Sequence, residues 1–259
     1  MVSATKKISW FCCVVLLLVM FSALAHAQSN DASAEVLMQA SRAYKEGRYV
    51  EAADYYEQIS SSGTGSGRLF YNLGNAYMRA GKLGSALLNY RRAELRMPRN
   101  DNLRSNIQYT LAQTRDSIEC RGYAETLRDI CFWYTRMSAV ETIWTTIVLN
   151  GVFWLLLFVR FFYRREGLTI VLIVAFFVTA VFGATAAVKQ YSIAYTPGGV
   201  VIMPQISVRS GTGLNDTVLF NLHEGAEFIW EEERDSCVQI SLCDGKKGWV
   251  QAASIAKVE

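Results

Sequence analysis

Hydrophobic positions fall into three unbroken apolar blocks, separated and followed by stretches where apolar residues recur at short intervals. The first block runs from Ile8 to Phe21 behind Lys6 and Lys7, and Ala25-His26-Ala27 follows it. A basic start, a short apolar core and a small-x-small site predict a secretory signal peptide over residues 1–27, removed before Gln28. The alternative is an uncleaved anchor, for which the run is short. The second block carries no charge between Glu141 and Arg160, and the third none between Glu166 and Lys189. Such lengths match the roughly 17–25 residues of a spanning helix, so transmembrane helices are predicted at 142–162 and 167–188. Arg160, Arg164 and Arg165 crowd the connection at 163–166, which places that loop in the cytoplasm and both flanks outside. An exported N-terminus gives the same topology.

Residues 33–100 repeat internally. Ala40, Gly47, Tyr49, Ala52, Tyr56 and Ile59 recur as Gly74, Gly81, Leu83, Ala86, Tyr90 and Ala93, 34 positions later in each case. Glycine would sit at the turn between two antiparallel helices, alanine where they approach, and tyrosine between successive pairs. Pro98 ends the second copy because it cannot continue a helix. The pattern resembles the tetratricopeptide (TPR) repeat, most closely from Leu73-Gly74-Asn75-Ala76-Tyr77 to Pro98. It divides the segment into repeats 33–66 and 67–100, with a capping helix to 116 started by Asn100 or Asp101. The resemblance implies a concave partner-binding face lined by Lys45 in the first repeat, by Arg68, Tyr71, Asn72, Asn75 and Arg79 in the second, and by Asn106 in the cap. Asn75 and Asn106 match asparagines that clamp a peptide carboxylate in some members of that family. Tyr71 stands where those members carry a lysine, so only part of the clamp is present.

Residues 117–141 are read as a linker, with Cys120, Cys131 and the cluster Phe132-Trp133-Tyr134 beside the second apolar block. A helix lying on the membrane and a plain connection both suit it. After Lys189 the pattern becomes short alternating segments: Ile206–Arg209, Val218–Phe220, Phe228–Trp230, Val238–Ile240 and Gly248–Val250, with a hairpin signal at Asp244-Gly245. Val208-Arg209-Ser210-Gly211, Leu222-His223-Glu224-Gly225 and Gly248-Trp249-Val250 make residues 194–259 similar to the bacterial SH3-like domain, a small all-β barrel. Cys237 stands where that family often has tryptophan.

Composition narrows the function classes. The chain is 51% apolar, and removing the two signal-peptide lysines leaves 24 basic against 23 acidic residues. That balance gives no basic patch for nucleic acid. After removal of residues 1–27, His223 would be the single histidine, and it is expected in a solvated turn. Glu231-Glu232-Glu233 reads as a solvated strand edge, since adjacent strand residues point to opposite faces. Gly63-Thr-Gly65-Ser-Gly67 lacks the lysine and preceding strand of a phosphate loop. No catalytic residue, metal site or cofactor is therefore expected, and the protein is read as not an enzyme. Cys120 and Cys131 are expected to pair, stabilising their loop by up to about 3 kcal/mol. Cys237 and Cys243 would lie roughly 20 Å apart along one strand, beyond disulfide reach unless the strand turns first, and so are less able to pair. Residues 28–116 hold 12 basic and 9 acidic side chains, and residues 190–259 hold 5 and 9. Opposite signs suit either mutual docking or separate partners. Separate partners are preferred, because screening over about 8 Å limits such small net charges.

The order of parts supplies a sharper resemblance. Signal peptide, TPR units, two membrane helices and a terminal SH3-like domain together look like the BatE-type proteins of the Bat (Bacteroides aerotolerance) operon. That resemblance implies a multidomain membrane protein in a bacterial inner membrane, with α-helical TPR repeats and a small SH3-like barrel on the periplasmic side. It further implies a protein–protein scaffold working with von Willebrand factor A type Bat-like proteins and a MoxR-type ATPase. The alternative expectation is a cell-wall protein that holds peptidoglycan through the SH3-like domain.

Overall fold

The computed structural model describes residues 34–61, 65–116, 132–163, 165–195, 197–213 and 215–258. Residues 1–27, Cys120 and Cys131 lie outside them. The chain divides into two compact units after Gly65.

In the first unit, α1 (residues 34–45) and α2 (Tyr49–Ser61) form a helix pair. Ala40, Ala43, Ala52 and Ala53 are fully or almost fully buried. Gly47 closes the turn at φ +80°, and the Tyr44 and Tyr49 rings meet edge to face at 5.3 Å. In the second unit, α3 (Gly67–Arg79) and α4 (Leu83–Arg96) repeat that design. Gly81 turns at φ +77°, with open space where a Cβ would stand. Its requirement is purely conformational, because a left-handed backbone is strained for any residue with a Cβ. Ser66 caps α3 by accepting from Leu69 N, and Asn100 caps α5 (Asp101–Leu111) by accepting from Leu103 N at 3.0 Å. Ala86, Leu87, Tyr90 and Ala93 of α4 are buried along with Leu73 and Ala76 of α3, and Leu103 and Ile107 of α5 close the stack. Helix pairs recurring every 34 residues, as the glycine, alanine and tyrosine spacing predicts, are what the chain forms.

A five-residue helix, α6 (Phe132–Arg136), falls in the stretch read as a linker. Two long apolar helices follow, α7 (Ala139–Phe162) and α8 (Glu166–Tyr195), each long and apolar enough to cross a membrane. Both overrun the expected bounds. α7 starts earlier because Ser138 and Glu141 form a capping box, Ser138 Oγ accepting from Glu141 N and the Glu141 carboxylate from Ser138 N. α8 passes Lys189 because a charge limits an apolar block without breaking a helix. At about 1.5 Å per residue the two run about 36 and 45 Å, against a hydrocarbon layer of about 30 Å. They pack on each other through contacts such as Phe153 against Phe176 at 6.1 Å, and Thr142 is fully buried. Elsewhere their apolar side chains face outward, with Trp144, Trp154, Phe158, Phe161 and Phe177 all more than 60% exposed.

The C-terminal part is a seven-stranded antiparallel sheet: β1 (Gly198–Val201), β2 (Gln205–Arg209), β3 (Val218–His223), β4 (Glu227–Arg234), β5 (Cys237–Ser241), β6 (Lys247–Gln251) and β7 (Ile255–Lys257), in the order β3-β2-β6-β5-β4-β1-β7. Alternation along the strands turns Ile206, Val208, Phe228, Val238, Ile240 and Val250 into one core, closed by Leu222, Leu242 and Ile255. The sequence pattern shows five of these strands. β1 and β7 escape it because Gly-Gly-Val-Val and Ile-Ala-Lys are too short to alternate; β1 is a strand by pairing with β4 and β7, and β7 by pairing with β1. The β4–β5 turn uses Asp235 and Ser236, both at positive φ, in place of the usual asparagine–glycine.

Gly81→Ala should destabilise the α3–α4 pair by about 1–2 kcal/mol, the cost of a left-handed residue with a Cβ. Native-state hydrogen exchange of the α3 and α4 amides measures it, and unchanged protection would contradict a purely conformational role.

Candidate functional site

Helix α3 sorts its residues sharply. Leu69, Phe70, Leu73, Ala76 and Tyr77 are buried, whereas Arg68, Tyr71, Asn72, Asn75 and Arg79 lie on the other face at helical spacing. Arg68 and Arg79 are exposed, while Tyr71, Asn72 and Asn75 are half-buried. Asn106 of α5 joins them. Asn75 Oδ1 accepts from the Tyr90 hydroxyl at 2.8 Å and from Asn106 Nδ2 at 2.9 Å, and Asn106 Nδ2 also lies 3.4 Å from the Tyr71 hydroxyl. The Tyr71 and Tyr90 rings stand 6.2 Å apart. Lys45 is exposed at the end of α1, in the other compact unit.

The two asparagines bond each other through Asn106 Nδ2 and Asn75 Oδ1, so a carboxylate would compete for the Asn106 amide, whereas the Asn75 amide nitrogen takes no part in that bond. Asn75 also satisfies the hydroxyl of Tyr90, which is only 1% exposed. Truncating Asn75 would remove the acceptor these two donors share, so it cannot be treated as an exposed residue.

The sheet docks on α4, and side chains of both signs make the joint. Gly84, Arg91 and Arg92 recur at helical spacing along α4, and the Arg92 guanidinium also lies 5.8 Å from the centroid of the Phe70 ring of α3. Arg91 grips Glu227 with two parallel bonds, Nε to Oε1 at 2.6 Å and Nη2 to Oε2 at 2.9 Å, and its third nitrogen reaches Glu94 at 2.7 Å. Burial alone would pull the Arg91 guanidinium down, but Glu227 and Glu94 together raise it above its ordinary range. The pair is a bidentate, partly buried bridge, with the two side chains 26% and 31% exposed. Arg92 Nη2 donates to the Lys257 carbonyl at 3.0 Å.

At the start of α4, Lys82 offers no side-chain cap, and Gly84 N donates at 2.9 Å to Glu224 Oε1 from the turn after β3. A carboxylate 140 residues away thus satisfies an amide the helix leaves open and meets the positive end of its dipole. Glycine is needed here for space: a Cβ on Gly84 would lie 2.3 Å from the Val201 carbonyl. His223 Nδ1 stands 2.9 Å from Asp116 Oδ1, each side chain 18% exposed. His223 is therefore a docking residue rather than a solvated turn residue, because its partner comes from 107 positions earlier.

Mutual docking of the oppositely charged parts, the reading given second place from charge alone, is what the second unit displays. Net charge does not carry it; three local pairings do. Sequence reasoning missed Arg91, Asp116 and Glu227, and named Glu224 only as part of the SH3-like turn. Gly84, an unneeded glycine in the first turn of a helix, was the one available signal.

Cys237 carries a free thiol, whose Sγ lies 3.7 Å from the Thr212 carbonyl, and Cys243 is disulfide-bonded. Cys237 lines a cleft of about 230 Å³ on the sheet together with Arg209, Thr212 and Trp249. Glu231 and Glu232 pair with Lys247 and Arg234. No three of His, Cys, Asp and Glu gather to hold a metal ion among the described residues. No protein-family model matches the chain, and no curated protein matches it in sequence.

Two substitutions test the joint and the polar cluster. Gly84→Ala would stabilise an isolated helix by about 1 kcal/mol. Here it should destabilise, raising hydrogen exchange at the start of α4 and in β1; lower exchange would refute the docking. Asn75→Ala should cost about 1–3 kcal/mol by removing the acceptor shared by the Tyr90 hydroxyl and the Asn106 amide. Denaturant titration of the α3–α5 exchange protection measures that loss, and a neutral result would show the cluster to be solvated.

Proposed function

We propose that the protein is a membrane-anchored, non-enzymatic scaffold whose helix pairs are TPR repeats and whose sheet is an SH3-like barrel of a BatE-type protein. In this reading α7 and α8 cross a bacterial inner membrane, and the remaining domains face the periplasm. One observation carries the proposal. The sheet occupies the α4 face that bears Gly84 and Arg91, while Arg68 and Arg79 remain exposed on α3 around the half-buried Tyr71 and Asn72. A rigid helical face presenting cations and amides suits an acidic segment of a partner protein. The partner proposed by resemblance is a membrane-bound von Willebrand factor A type protein, and Lys45 would extend the same function from the first repeat.

Arg68→Glu with Arg79→Glu should leave the fold intact, since both side chains are exposed, and should reduce partner capture at least tenfold in whole-cell crosslinking with affinity purification. Capture at the wild-type level would remove α3 as the working surface. The second reading then leads: the cleft beside Trp249 and Arg209 is a concave, mixed polar and apolar site of a size for part of a peptidoglycan stem peptide. Trp249→Ala should abolish sedimentation with purified cell wall if that reading holds. Reporter fusions after Arg115 and at the C-terminus should both report export; a cytoplasmic signal from either overturns the topology.

A further inference from the structure

Lys189 lies on α8 two turns before its end, yet the residue is only 9% exposed. Its Nζ donates to the Met137 carbonyl and stands 5.0 Å from the centroid of the Tyr134 ring. An ammonium has three donors to satisfy, and a buried charge is costly unless paired. No carboxylate among the described residues forms an ion pair with it. Glu141, nearby in the first turn of α7, is held by Arg99 and by the Ser138 amide.

The open side of Lys189 faces a hollow of about 520 Å³, walled by Arg91, Arg104, Tyr134, Ser138 and Ser192 as well. Three cations converge there. Glu94, the carboxylate on the wall, is already bonded to Arg91. Arg104 has only a loose contact with Asp101 at 3.7 Å, and its side chain is 55% exposed, so it is able to swing onto a ligand. The hollow is of the size that small-molecule sites take, about 300–1,000 Å³.

Its surroundings decide the ligand. Trp133 Nε1 donates to Thr185 Oγ1 at 3.4 Å and its ring packs on Phe182, so an indole and a phenol sit at the level of Lys189. Amphipathic rings of this kind mark the headgroup layer of a membrane. Within one or two turns of the lining residues Ala139 and Lys189, Val140, Trp144 and Val188 are exposed apolar side chains on α7 and α8. A ligand there meets cations at one end and an apolar wall at the other.

We infer that this hollow binds the phosphodiester headgroup of an anionic glycerophospholipid, gripped by Lys189 and Arg104, with its acyl chains lying along the exposed faces of α7 and α8. The inference rests on the proposal that these helices span a membrane. The bound lipid completes the coordination of the buried ammonium and joins α4, α5, α6 and the ends of α7 and α8 around one anion. It makes lipid a structural part of the joint between the membrane helices and the domain that carries the candidate partner-binding face.

The test uses the full chain, extracted in mild detergent and examined by native mass spectrometry with added phosphatidylglycerol. Replacing a buried cation by an apolar side chain of similar length is often neutral or stabilising, so Lys189→Met is a suitable variant. Wild type should retain one phosphatidylglycerol, and Lys189→Met and Arg104→Gln should each weaken retention by about fivefold. Lys189→Arg, which keeps the charge, should retain it. Equal retention by wild type and Lys189→Met overturns the site. Displacement of the lipid by millimolar inorganic phosphate would overturn the lipid assignment in favour of a soluble anion. Alkaline extraction of membranes separates the two levels of the argument. Release of the protein into the soluble fraction refutes the membrane span itself, whereas firm retention without lipid discrimination refutes the headgroup site alone.

Discussion

The contact between α4 and the sheet is the constraint on which the second compact unit depends. Glu224 supplies the cap that the start of α4 lacks, and Glu227 holds the Arg91 guanidinium. Neither carboxylate acts through net charge. Each meets a specific group at hydrogen-bond distance, where partial burial strengthens the interaction beyond anything available to two solvated domains. Gly84 makes the approach possible by presenting no side chain to the Val201 carbonyl. Because the cap, the bridge and the close approach lie along a single helical face, the joint fixes orientation as well as distance.

Fixing that face determines which surfaces remain for other molecules. Arg91 and Arg92 bond to the sheet, whereas Arg68 and Arg79 of α3 remain exposed. Behind Arg68 and Arg79 the bonds among Asn75, Asn106, Tyr71 and Tyr90 tie α3, α4 and α5 together. A satisfied polar cluster of this kind holds one arrangement of three helices, since any slippage would strand a buried hydroxyl or amide. The candidate partner-binding face is therefore presented on a rigid support, which lowers the ordering cost of recognition.

On the proposed function a different solvent, the bilayer, accounts for α7 and α8. Their outward tryptophans and phenylalanines would be a severe liability in water, where apolar patches of that extent mark interaction sites or aggregation. In a bilayer they need no covering. The charges near the ends of these helices follow the same logic: Glu141 completes a capping box and pairs with Arg99, and Lys189 is drawn under the Met137 carbonyl and the Tyr134 ring. Charge at this depth has to be gathered into polar company, and the hollow beside Lys189 is where that company is incomplete.

Local patterns were sufficient for everything that depends on neighbours along the chain. The 34-residue offset, Gly47 and Gly81 at the turns, Asn100 as a cap, the two apolar helices and the alternation of β2, β4, β5 and β6 all follow from short-range sterics and periodic burial, which the order of residues states directly. The short strands β1 and β7 and the bonded asparagine pair did not follow, because each is settled by a group distant in sequence. The docking of the sheet is the clearest case. Gly84, Arg91 and Asp116 read as ordinary helix and loop residues, and Glu224, Glu227 and His223 as ordinary turn and strand residues. Nothing local relates them. Only the fold brings them within 3 Å of one another, and an interaction whose strength falls steeply with distance and exposure exists only once that has happened.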